Sequence, residues 1–168
     1  MAGTFEKIAT NTLANATTSS VIFSSISSAY TDLVAVINTG GTTSNLSSLQ
    51  MRVNSDSGSN YSTTVLYGTG TSATSGGYTG QTKMLIGNIV NALPQNVNSN
   101  CVVQVQNYSN ATTYKTALAR YNDSSRDVNT TVSLWRNTAA ITTIEFLTPL
   151  SFFANGSTFT LYGILKAA

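Results

Sequence analysis

Apolar residues in this chain recur at every second position, in short runs interrupted by clusters of Gly, Asn, Ser and Thr, and nowhere at a sustained helical spacing. Leu49, Met51 and Val53 alternate with Gln50, Arg52 and Asn54, and Leu33, Ala35 and Ile37 repeat the pattern. Cys101, Val103 and Val105 oppose Gln104 and Gln106, while Thr160 separates Phe159 from Leu161. Successive side chains on a strand point to opposite faces, so each run offers one face to a core and one to water. The β-branched Thr suits the outward positions. The spacing predicts strands over 21–24, 32–38, 49–54, 61–67, 83–90, 101–108, 113–121, 130–135, 141–147 and 157–165. Short strands joined by turns, with no helices between them, predict an all-β fold: an antiparallel β-sandwich, jelly-roll-like, of about ten strands. A small barrel buries alternate residues in the same way, and periodicity leaves that alternative open.

Length and composition narrow the chemistry. The 168 residues suit one domain, and a core of that size buries roughly 70% of the unfolded chain's surface. Residues 1–20 are more polar and less regular, with Phe5, Ile8 and Leu13 as isolated apolar points, and read as an N-terminal arm or peripheral strand. Residues 21–168 read as a single sandwich domain. Ser, Thr and Asn fill 66 positions, but 41% apolar residues and eight Tyr argue against disorder. Eight basic and six acidic residues give a net charge of +2, and the basic ones are scattered from Lys7 to Lys166 without a run. Nucleic-acid binding is disfavoured, because its footprint is a basic stripe or face. No stretch reaches the ~18 consecutive apolar residues of a membrane span, and no leader pattern follows Met1, so a soluble cytoplasmic product is expected. With no His and one Cys, Ser-His-Asp and Cys-His catalysis and most zinc sites are removed. Cys101 lies in a strand-like run and reads as a buried small hydrophobe.

Several patterns resemble functional motifs. Gly68, Gly70 and Ala73 match a phosphate-binding fingerprint, but the segment after them cannot supply the helix that such a site needs. Asn54, Asp56, Gly58 and Asn60 are oxygen-rich like a calcium loop, yet hold one carboxylate and no following bidentate Glu, which favours a turn. Asp123 and Asp127 are the one close pair of acids in sequence and the only named place for a two-carboxylate glycosidase. Arg120 and Arg126 beside them favour a salt-bridged loop instead. Two stretches, 54–60 and 68–80, read as exposed loops, and Asn155-Gly156 reads as a tight reversal before the last strand. Trp135 reads as a packing anchor.

Whole segments of the chain resemble a group of small β-sandwich proteins on the surfaces of tailed-phage virions, of capsid decoration or cement, head-fibre and tail-fibre type. The carriers are Val21-Ile-Phe-Ser-Ser-Ile26 with Tyr30-Thr-Asp-Leu33, then the stretch from Arg52 to Tyr61. Further on come Asn107-Tyr108, Tyr114-Lys-Thr116, the stretch from Leu134 to Thr143 and that from Phe153 to Ile164. The resemblance implies a non-enzymatic structural protein, without cofactor or metal, on the outer surface of a capsid and made in the bacterial host cytoplasm. Its partners would be the major capsid protein and its own copies in a homotrimer. Asp32 and Asp56 would act as turn and loop hydrogen-bonders, and Leu161-Tyr-Gly-Ile164 as the closing strand. On that view Phe5, Ile8 and Leu13 are candidate capsid-binding anchors. A fibre module would instead contact a host-surface glycan or receptor through the 68–80 segment, with Gly68, Gly70, Tyr78 and Gly80 as its candidate recognition residues.

Overall fold

The computed structural model describes residues 4–42, 48–87, 99–123 and 127–165. The end of the run read over 83–90, and Arg126, lie outside the described residues. The alternating runs become antiparallel strands: β1 (Phe5–Thr12), β2 (Ser20–Phe23), β3 (Tyr30–Thr39), β4 (Leu49–Val53), β5 (Tyr61–Gly68) and β6 (Ala73–Gln81). They continue as β7 (Met84–Gly87), β8 (Ser99–Gln106), β9 (Lys115–Asn122), β10 (Val128–Trp135), β11 (Ile144–Leu147) and β12 (Thr158–Leu165). No described residue is helical. An eight-stranded sheet in the order β1-β12-β3-β8-β9-β10-β5-β6 packs on a four-stranded sheet in the order β2-β11-β4-β7. The fold is an antiparallel β-sandwich, and the open order of both sheets settles the choice against a closed barrel.

Burial follows the period-two pattern. Leu49, Met51 and Val53 of β4 face inward, as do Cys101, Val103 and Val105 of β8 and Leu33, Ala35 and Ile37 of β3. Phe146 of β11 and Phe159 of β12 join the two sheets, with ring centroids 6.0 Å apart. Phe23 meets Phe146 edge-on at 6.2 Å, and Phe153 lies 4.9 Å from Phe159. Such aromatic contacts add to the stabilisation that buried area already supplies. Gly163 of β12 sits under the Tyr30 ring so closely that any side chain there would overlap it.

Polar residues in the interlayer have assigned tasks. Thr63 and Ser133 pair across β5 and β10 at 2.8 Å. Leu85 of β7 donates its N–H to Thr63 Oγ1, and its carbonyl accepts from Ser133. The hydroxyls thus complete the backbone bonds of an edge strand that lies over the larger sheet, where unpaired groups would carry a desolvation cost. Lys115 is fully buried, and its Nζ donates to the carbonyls of Thr113 and Thr138. Burial pushes its pKa down.

Two strands go beyond the ten read from the sequence. β1 forms one edge of the larger sheet and β6 the other. Neither strand has a buried residue. The segment read as an exposed loop over 68–80 is therefore mostly strand: β6 pairs with β5 from Ala73 to Gln81. Asn155-Gly156 is the expected reversal before β12, with Ser157 N–H returning to the Ala154 carbonyl.

Candidate functional site

A groove of about 760 Å³ runs over the outer face of the larger sheet at its β6 end. Strand register builds its floor. One row runs from Val102 on β8 through Arg120, Thr130 and Leu66 to Ser75 on β6. The next runs from Asn100 through Asn122, Val128 and Gly68 to Ala73. Leu66 and Val128 are each 61% exposed, leaving apolar surface beside the polar groups.

The amide and guanidinium groups on this floor present donors, beside the hydroxyls of Thr130 and Ser75, which both donate and accept. Asn100 Oδ1 accepts from Asn38 Nδ2 at 2.7 Å, and Asn122 Oδ1 accepts from the Asn100 backbone N–H at 3.3 Å. Each amide oxygen thus already accepts one hydrogen bond, and neither Nδ2 group has a partner among the described residues. The Arg120 guanidinium is exposed and has no hydrogen-bond or ion-pair partner among the described residues. No acidic residue among those described lines this groove.

Asp123 and Asp127 lie beyond its end. Both are buried, and the Asp123 N–H donates to the Asp127 carbonyl at 2.7 Å across the β9–β10 reversal. They line a smaller depression of about 370 Å³ with Gly68, Thr69, Gly70 and Val128. Gly68 and Val128 also line the larger groove. The structure thus brings the acidic pair together with two of the proposed recognition residues. Tyr78 and Gly80 sit further along β6, outside both linings.

The proposed anchors lie at the opposite edge of the sheet. Phe5 is 57% exposed on β1, Ile8 is half-buried against the core, and Leu13 is buried. Leu13 is therefore committed to the protein's own interior, with its N–H bonded to the Ser157 carbonyl, and is removed from the anchor set. Phe5 remains exposed.

The sequence reading missed Arg120, Asn100 and Asn122 as site residues. It set Arg120 against Asp123, but three positions apart on a strand-like stretch means opposite faces. Arg120 shares its exposed face with Leu118, while Asp123 is buried. The usable signal was parity, read together with strand order.

The 54–60 segment is structural. Asp56 accepts hydrogen bonds from Trp135 Nε1 at 2.7 Å, Asn60 Nδ2 at 2.9 Å and the Gly58 N–H at 2.8 Å. Burial opposes its ionisation, but these donors outweigh that effect and hold its pKa below the ordinary value. Trp135 is buried and stacks on Tyr61 at 6.5 Å. Asp32 likewise accepts from the Asn107 N–H and Gln104 Nε2.

No protein-family model and no curated protein matches the chain. Among solved structures, a double mutant of the alginate lyase Aly36B in complex with an alginate tetrasaccharide aligns with a TM-score of 0.35 and 8% identity. The alignment covers 95% of this chain and 82% of the lyase. Against these comparisons, the expectations of a role in capsid decoration or in a fibre, and of a chain without enzymatic activity, are withdrawn. At this TM-score the likeness carries no activity, substrate or residue role to this chain.

Proposed function

We propose that this protein binds an acidic oligosaccharide along the groove on the outer face of its larger sheet. The observation that supports the reading is a floor rich in donors: Asn100 Nδ2, Asn122 Nδ2 and an Arg120 guanidinium without a partner among the described residues, beside hydroxyls that donate as well as accept, with no carboxylate lining it among the described residues. Such a surface matches a ligand rich in acceptor oxygens and carrying negative charge. Leu66, Val102 and Val128 flank those donors and suit the C–H faces of sugar rings. A single cation on the floor favours a chain with spaced carboxylates over a densely charged phosphate polymer.

Calorimetric titration with acidic and neutral oligosaccharides of equal length tests this. The acidic series is expected to bind with a salt-dependent affinity, and Arg120→Ala to weaken it by about tenfold, as for loss of one charge-assisted contact. Equal affinity for the neutral series, or an unchanged affinity in the variant, would overturn the proposal. Assay of new chain ends in the same mixtures shows whether bound chains are also cleaved.

A further inference from the structure

Strand β6 has no strand on its outer side among the described residues, and none of its nine residues is buried on either face. An open edge invites pairing, and folded proteins commonly guard it with charges, proline or a bulge. The β1 edge is guarded: it carries Glu6 and Lys7, and its register shifts between Lys7 and Ala9. Around β6 the guard is thin. No charged residue occurs between Asp56 and Lys83, and the register shift toward Tyr61 leaves Ala73 to Tyr78 in regular pairing with β5.

Gly76 and Gly77 lie in the middle of that regular part. A Cβ on Gly77 would meet nothing within 4 Å, and one on Gly76 would make ordinary contacts. Neither has a positive φ. The chain's own packing therefore gives no reason for two glycines that weaken a strand, and a mid-strand glycine often marks close approach by another backbone.

We propose that β6 pairs antiparallel with β6 of a second copy about a two-fold axis at Gly76. Antiparallel pairing of identical strands is self-complementary, with Ser75 facing Gly77 of the partner copy. A two-fold brings two copies of the same short strip together, so any net charge on the strand would meet the same net charge on its partner. The neutral stretch between Asp56 and Lys83 avoids that repulsion, whereas a charged partner would find no counter-charge on it. The regular edge is about 20 Å long at ~3.4 Å per residue. Such a strip covers less than the roughly 800 Å² per partner of a standard interface, so the dimer forms and dissociates with concentration. Pairing brings two grooves side by side on one continuous sheet face, because Ala73 and Ser75 line the groove wall next to β6.

Sedimentation equilibrium over a wide concentration range, without any glycan, tests the pairing independently of the ligand proposal. The unmodified chain should move from monomer to dimer as concentration rises. Ser75→Lys with Gly77→Lys sets like charges opposite each other and should weaken association by about tenfold or more. Ser75→Lys with Gly77→Glu sets opposite charges across the axis and should restore it. Thermal melts of both double variants check that the sandwich stays folded. A monomer at all concentrations, a trimer, an unaffected dimer in the Lys/Lys variant, or no restoration in the Lys/Glu variant would each overturn the proposal.

Discussion

At the residue scale, Asp56 shows how one carboxylate ties a loop to the core. Its two oxygens take three donors, one from the buried indole of Trp135. The same bonds depress its pKa, which gives stability a definite pH dependence. A depressed folded-state pKa contributes stability above the ordinary carboxylate value, 3.8 for Asp. That contribution is lost as pH falls through the folded value. We expect Asp56→Asn to lower stability by roughly 1 kcal/mol at neutral pH, the scale of one net hydrogen bond. The variant should also lose stability less steeply than the parent below the ordinary value. Urea unfolding at neutral and acid pH checks both, and an unchanged acid slope would remove Asp56 from the account.

At the scale of elements, the two edges of the larger sheet differ in how they are held. β1 pairs along β12, and the chain then enters the core at Leu13. Leu13→Ala should therefore cost about 2–5 kcal/mol, as for other buried leucines. Phe5→Ala removes an exposed ring and should stay within about 0.5 kcal/mol. Denaturant midpoints of the two variants check this contrast, and equal losses would mean that β1 is anchored by its own side chains. The element scale also explains why β6 escaped the strand reading and why β1 was legible only as an arm or peripheral strand. Periodicity reports one-sided burial, and strands without a single buried residue give it little to mark. Their backbone bonds to β12 and β5 define them instead.

At the scale of the whole molecule, the two sheets enclose one core, and Cys101 reports on its integrity. The thiol is fully buried, donates to the Ile86 carbonyl and has its pKa pushed up by burial. It should react with a thiol reagent only through opening of the sandwich, so the reaction rate under native conditions should fall with every stabilising variant. Rapid labelling of the native chain, at the rate of an unfolded one, would contradict that placement. The sequence by itself determined the layer: alternation in β3, β4 and β8 assigns an inner and an outer face because side chains on a strand point alternately up and down. It also marked Trp135 as an anchor, Asp32 and Asp56 as hydrogen-bonders through a resemblance, and Asn155-Gly156 as a reversal. Only the tertiary structure decided which strands neighbour which. Arg120, Asn100 and Asn122 become one surface because β8 and β9 pair in register, while the row continues to Leu66 and Ser75 through strands distant in sequence. Local pattern fixes which way a side chain faces, but long-range hydrogen bonding fixes what it faces with, and a binding groove is made of the second.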